Sequence, residues 1–345
     1  MSPLGATVFY TGIDQHRHRS TLTTFRATGE RVGEATLPND PATLRRYFAQ
    51  FPGAHHAVVE ATGRWYWLRA LLRAEGIDLH LAHAKFLKAI AYAKVKTDAI
   101  DASTLGHLLR AGLIPEAHMI SDQLRGARDV LRARLRMVAR RSSAKNSCDR
   151  LLEKWNVARI EDLPALDQVQ AQCQTALITV LTDQIHTLEV AVQPTLLDSP
   201  AVQRLLWIPG IGRLMAFTIV LEVDDIHRFP TLKHFWSYCR LVPGAADSAD
   251  RHHHRRSKDG NRYLKLAFSH AAVRAVQYYP EVRQWYQRWK RRKPLRVARA
   301  LVAKELAKSV YHVLKDDVDF NQQFKNTPLT RQKTARWPRR ASPSA

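Results

Sequence analysis

Two carboxylates three residues apart stand in the stretch Lys94-Val95-Lys96-Thr97-Asp98-Ala99-Ile100-Asp101-Ala102-Ser103. The apolar spacing of Ile100, Leu105, Leu108 and Leu109 predicts that they open an amphipathic helix, with both carboxylates on one face. Like charges so placed repel, and a partly buried pair is relieved by a cation or by sharing a proton. On a solvated helix start the same two aspartates would merely suit the macrodipole. Asp14, in Gly12-Ile13-Asp14-Gln15-His16, and Glu60, in Val58-Val59-Glu60-Ala61-Thr62-Gly63, favour the first reading. Each ends an apolar run beside small residues, a poor place for a core group and a good one for a cleft. Asp14, Glu60, Asp98 and Asp101 together offer enough hard oxygen ligands for two Mg²⁺ ions roughly 4 Å apart.

The elements that must position these groups follow from local patterning. Thr7 to Ile13, Thr21 to Ala27 and Glu34 to Leu37 alternate as a three-strand meander. A helix over Pro41 to Phe51, a buried strand His56 to Glu60, a helix Arg64 to Glu75 and a strand Asp78 to Ala82 come next, followed by the Asp98/Asp101 helix. The order βββαβαβα resembles an RNase H-like α/β domain, a mixed sheet flanked by helices. Asp14 and Glu60 then fall at strand ends.

Lys and Arg number 54 against 31 Asp and Glu in 345 residues, a formal charge of +23. Such an excess points to a polyanion, double-stranded DNA before all. A membrane is excluded as partner because the apolar run Leu214 to Val223 is too short to span and is flanked by Arg213 and Glu222. No signal peptide is expected. Cys148, Cys173 and Cys239 are odd in number and form no CxxC pair, consistent with free thiols in a reducing cytoplasm.

From Asp122 to about Trp155 one long helix is expected, with Arg125, Arg128, Arg132, Arg136 and Arg140 forming a basic stripe suited to phosphate beside an apolar one. Leu163 to Leu197 carries a looser heptad-like series that fits either a coiled coil between subunits or a helical hairpin within one chain. The turn Pro209-Gly210-Ile211-Gly212, with Arg213, resembles a helix-hairpin-helix whose glycines admit a phosphate. Basic residues including Arg291 and Arg292 surround Trp285, Tyr286 and Trp289. The two tryptophans, four apart, read as core. His252, His253 and His254 are consecutive and so poorly placed to face one ion. They read as phosphate contacts or solvent-exposed side chains.

The GIDxH start, the VVEATG strand end and the KTDAIDA helix, in this order and spacing, resemble the DEDD-type transposases of the insertion-sequence one-ten family. The N-terminal domain of that family is similar to the RuvC Holliday-junction resolvase. The resemblance runs from about Thr7 to Lys315, through Arg228-Phe229 and Leu241-Val242-Pro243-Gly244. It implies a RuvC-like catalytic domain over residues 1–118, a basic and coiled-coil connector over 119–198, and a mainly helical transposase domain over 199–320. A disordered basic tail over 321–345 completes the expected organisation. Ser248 takes the position of the family's nucleophile, with Ser257 in reserve at the head of a stretch that includes Lys258. The resemblance further implies a homodimer assembling to a tetramer, and a structured non-coding guide RNA bound with DNA by a basic surface to which Lys94 and Lys96 also contribute. A resolvase-like nuclease using metal-activated water, or a nucleic-acid-binding protein with an inert acidic cluster, are the alternatives the residues leave open.

Overall fold

The computed structural model describes residues 7–90, 97–248, 251–255 and 259–320. The chain forms two compact units, Met1–Met119 and Ile120–Ala345.

The first unit is built on strands β1 (Val8–Gln15), β2 (Arg19–Arg26) and β3 (Arg31–Pro38), then helix α1 (Pro41–Phe48), β4 (Ala54–Glu60), α2 (Tyr66–Ala74) and β5 (Asp78–Ala82). Helices α3 (Ala84–Ile90) and α4 (Asp98–Arg110) follow. The sheet order is β3-β2-β1-β4-β5. The first three strands are antiparallel, and β4 and β5 add in parallel to β1. This mixed sheet with its helices is compatible with an RNase H-like domain. One element exceeds expectation: the short helix α3 stands between β5 and α4, so the order ends in two helices.

Strand alternation gives the sheet two faces. On one, Phe9, Ile13, Leu22, Ala57, Val59, Leu79 and Leu81 form a core with Leu44 and Phe48 of α1 and Leu68, Leu71 and Leu72 of α2. Asp40 caps α1 by accepting a hydrogen bond from the Thr43 amide at 2.8 Å, and Pro41 occupies the first turn, where its missing N–H costs nothing. On the other face, Val58 and Ala82 pack against Leu105 and Leu109 of α4. Thr97 starts that helix by accepting from the Ile100 amide at 3.3 Å. A short bridge from Glu116 to Ala82 lines the free edge of β5, with the Ala117 amide donating to the Leu81 carbonyl at 2.8 Å.

The second unit starts with two long helices, α5 (Asp122–Trp155) and α6 (Ala165–Leu196). Asn156, with φ of 52°, closes α5 in the left-handed conformation that ends many helices. The pair is an antiparallel hairpin within one chain: Arg134 bonds Glu189, Arg141 bonds Thr182 and Lys154 bonds Asp167, each step down α5 matching a step up α6. The heptad-like series therefore divides. Leu181, Ile185, Val192 and Leu196 are buried, whereas Leu166, Val169, Leu177 and Val180 are exposed.

Helices α7 (Pro200–Leu205), α8 (Arg213–Val223) and α9 (Leu232–Tyr238) come next, then a hairpin of β6 (Gly244–Ser248) and β7 (Arg251–Arg255). Helices α10 (Arg262–Tyr278), α11 (Pro280–Lys290) and α12 (Leu295–Lys315) complete the unit around a core containing Phe217, Phe235, Phe268 and Leu306. Trp285 and Trp289 pack against this core with ring centroids 6.2 Å apart, as their spacing predicts.

Candidate active site

Asp14 lies near the end of β1, opposite Thr21 of β2, and Glu60 ends β4. The parallel register pairs Ile13 with Val59, and Asp14 and Glu60 are the next residues of their strands, on the face that α4 covers. Asp98 and Asp101 occupy the first turn of α4. His16 joins the two elements, its Nε2 lying 3.1 Å from Asp14 Oδ2 and 3.2 Å from Asp98 Oδ1. Arg19 Nη2 stands 3.7 Å from the other oxygen of Asp98. One ligand atom each from Asp14, His16 and Asp98 lie within 4.8 Å of one another.

Burial is the strongest influence on Asp14 and raises its carboxyl above the ordinary carboxylate value. The charge of His16 opposes this, while the charges of Asp98 and Asp101 raise it further. The site thus repels accumulated negative charge and gains from a positive one. Two carboxylates on separate elements, meeting beside one imidazole, fit a divalent cation, and a DEDD nuclease-type fold implies dependence on one. His16 is the member that sequence reasoning left without a role. Its only signal was its place two residues past Asp14, on the turn into β2.

The remaining expected residues are scattered. Ser248 ends β6, paired in register with Arg251. Lys94, Lys96, Ser257 and Lys258 lie outside the described residues, as does the expected tail over 321–345. The arginine stripe on α5 is uneven. Arg136 and Arg140 are exposed and Arg125 lies 3.5 Å from Asp122. Arg128 is half-buried. Arg132 turns inward to the buried Glu222 of α8, donating from Nε and Nη2 at 2.6 Å each. A buried carboxylate requires such a partner, which corrects the expectation that Arg132 faces phosphate.

The Pro209–Gly212 turn also departs from expectation at Gly210. With φ of +80°, a Cβ there would overlap the Ala271 carbonyl of α10, so this glycine serves helix packing. Gly212 and Arg213 stay exposed at the start of α8, as Arg291 and Arg292 do beyond α11. Among the described residues no helix is long and apolar enough to cross a membrane.

A mixed sheet with acidic residues near two strand ends and in the first turn of a following helix is compatible with a DEDD nuclease-type domain, and family comparison agrees. A model of the DEDD transposases of IS110 type matches residues 11–156, and the model of the IS116/IS110/IS902 transposase family matches residues 202–287. A probable family 20 transposase of Pseudomonas aeruginosa is 25% identical over 300 residues, covering 79% of this chain and 87% of that protein. A protein of insertion element IS110 from Streptomyces coelicolor is 30% identical over 116 residues, 33% of this chain and 29% of its own length. A putative transposase of Sinorhizobium fredii is 24% identical over 222 residues, covering 61% and 56% respectively. The chain belongs to the IS110 family and is a DNA transposase.

Proposed function

We propose that this transposase cuts and rejoins DNA with Asp14, Glu60, Asp98 and Asp101 holding two Mg²⁺ ions and Ser248 supplying the attacking hydroxyl. The observation that carries the reading is the meeting of Asp14 and Asp98 around His16, between a strand end and a helix start. Divalent cations bound there supply positive charge to the attacking and leaving oxygens of a phosphodiester exchange. The four acids bind and orient them, and burial with the nearby charges of Asp98 and Asp101 makes neutralisation favourable for the Asp14 carboxylate. In the exchange, the serine hydroxyl gives up its proton and forms a bond to phosphorus as a DNA ester oxygen departs and takes a proton. Reversal rejoins strands without an external energy source, because the covalent ester conserves the bond.

In this reading the RuvC-like catalytic domain occupies residues 1–118, the connector 119–198 and the serine domain 199–320. The chain's charge of +23 and the exposed Arg136, Arg140, Arg213, Arg291 and Arg292 support binding of DNA and of a structured guide RNA through their phosphates. Leu166, Val169, Leu177 and Val180, exposed along α6, support assembly of a homodimer and then a tetramer.

The test incubates labelled junction DNA with the protein, Mg²⁺ and RNA transcribed from the element's flanks, and resolves products on a denaturing gel. Wild type is expected to yield a protein–DNA adduct that Ser248→Ala and Asp98→Ala both lack. Loss only in Ser257→Ala moves the nucleophile nine residues along. Cleaved strands without an adduct in every variant overturn the serine mechanism and leave a nuclease that uses water.

A further inference from the structure

Away from the strand-end carboxylates, a second group of metal-ligating side chains stands on the same sheet. His56 of β4 lies directly opposite Asp78 of β5 in the parallel register, and His80 follows Asp78 on the same face of its strand. His56 is four residues before Glu60, about 13 Å along the strand, so the group is separate from the acidic site. His56 Nδ1 lies 3.5 Å from Asp78 Oδ2, and His80 Nε2 lies 3.3 Å from the same oxygen. One ligand atom from each residue falls within 4.8 Å of the others.

We propose that His56, Asp78 and His80 bind a borderline transition-metal dication of the Zn²⁺ class, with Glu116 as the outer partner that orients His80. Ligands about 2.0–2.1 Å from a tetrahedral zinc stand roughly 3.3–3.4 Å from each other, close to the 3.5 and 3.3 Å that separate the His56 and His80 nitrogens from the aspartate oxygen. His80 Nδ1 lies 2.7 Å from Glu116 Oε1, on the segment that bridges to β5. A carboxylate on Nδ1 holds the proton there and turns the lone pair of Nε2 toward a metal, the usual arrangement around a ligating histidine.

Ion pairing alone accounts for less of this geometry. His80 Nε2 is shielded from solvent and has no hydrogen-bond partner among the described residues, because its approach to Asp78 is close enough for an ion pair but not aligned for a hydrogen bond. A nitrogen so placed is unsatisfied as a donor and well placed as a ligand. Tyr10 of β1 stacks on His56 with centroids 5.6 Å apart, limiting the ring's freedom. Asp78 is largely exposed, so an ion has a way in, and two imidazoles with one carboxylate suit zinc better than magnesium. The bound ion would tie β4 to β5, the strand beside Glu60.

Metal-stripped full-length protein is titrated with Zn²⁺ against a chromophoric chelator, with the melting temperature followed in parallel. Wild type is expected to bind one equivalent more than His56→Gln or His80→Gln, and to gain thermal stability on zinc addition beyond the gain of either variant. Glu116→Gln keeps the stoichiometry with affinity lowered about 10- to 100-fold. Asp98→Asn retains the site at full affinity. Circular dichroism verifies that each variant folds, and X-ray absorption at the zinc edge of loaded wild type is expected to show imidazole and oxygen ligands. Equal stoichiometry and affinity in wild type and both histidine variants overturns the proposal, as does loss of the equivalent in Asp98→Asn alone.

Discussion

Gly12 of β1 lies so close to Ala102 of α4 that a Cβ on the glycine would overlap the alanine's carbonyl oxygen. The Gly106 amide nitrogen closes on the same point. Two residues on from Gly12 is Asp14, and one turn back along α4 from Ala102 is Asp98. The missing side chain therefore sets the distance across which the two carboxylates share His16. Gly12→Ala should push α4 off the sheet, costing about 1–3 kcal/mol of stability. With Asp14 and Asp98 in the metal-binding role proposed above, recombination should fall by about 100-fold, since displacing a catalytic group by 1 Å is enough for that. Gly63→Ala, where a Cβ meets nothing within 4 Å, is the control expected to leave melting temperature and activity unchanged.

Asp14 gives a pH-dependent test. Its carboxyl is raised above 3.8 in the folded chain, by burial first and by Asp98 and Asp101 in addition, so the folded state holds the proton more tightly than the unfolded one. Stability from this group is present in full below 3.8 and is lost as pH rises through the raised value. Metal-free Asp14→Asn should then melt higher than metal-free wild type at pH 7, with the gap closing toward pH 3. Adding Mg²⁺ should raise the wild-type melting temperature more than the variant's, because only an ion bound to the folded state stabilises it.

His55 acts in the opposite direction. It is buried among Phe9, Phe48 and Phe51, with Nε2 2.7 Å from Thr11 Oγ1. Burial pushes it down to about 4 from 6.5, with the neighbouring His56 adding to the effect. Between those values the unfolded chain takes up a proton that the folded chain refuses, so stability falls as pH drops. The loss should reach about 3 kcal/mol near pH 4. His55→Phe should flatten this slope in denaturant melts of the full chain taken from pH 7 to pH 4.

The places of Asp14 and Glu60 near strand ends, and of Asp98 and Asp101 in a helix start capped by Thr97, were readable in the sequence because they depend on local pattern. The sheet strands were readable for the same reason. His16 was not, since its contact with Asp98 exists only after α4 has docked on Gly12. Gly12 itself looked like one more small neighbour of an aspartate. The His56–Asp78–His80 group emerges only from strand register, which fixes who faces whom across β4 and β5. Gly210 looked like a phosphate turn because the same backbone freedom serves close packing against α10. Apolar spacing on α6 likewise marked two faces without saying which one α5 would cover.

Arg132 shows how far a local pattern misleads, and it gives the sharpest stability prediction. At stripe spacing on α5 it resembles Arg136 and Arg140, yet Glu222, 90 residues away, binds it through two hydrogen bonds. Asn261 Nδ2 also donates to that carboxylate, at 2.7 Å, while its Oδ1 caps α10 by accepting from the Tyr263 and Leu264 amides. One carboxylate thus links α5, α8 and the start of α10. Burial works against the charge of Arg132, but the hydrogen bonds and charge of Glu222 more than offset it and hold the guanidinium above its usual value. Arg132→Ala should therefore cost about 3–5 kcal/mol, since it leaves Glu222 charged, buried and short of its main partner. Arg132→Met with Glu222→Leu should recover a large part of that loss, because it removes both charges while keeping volume. Arg136→Ala should leave stability within about 0.5 kcal/mol and lower DNA affinity instead, with a shallower salt dependence. Urea melts and salt-dependent DNA titrations of the three variants separate the inward-facing arginine from the outward-facing one. Equal stability losses for Arg132→Ala and Arg136→Ala would remove the structural role assigned here to the Arg132–Glu222 pair.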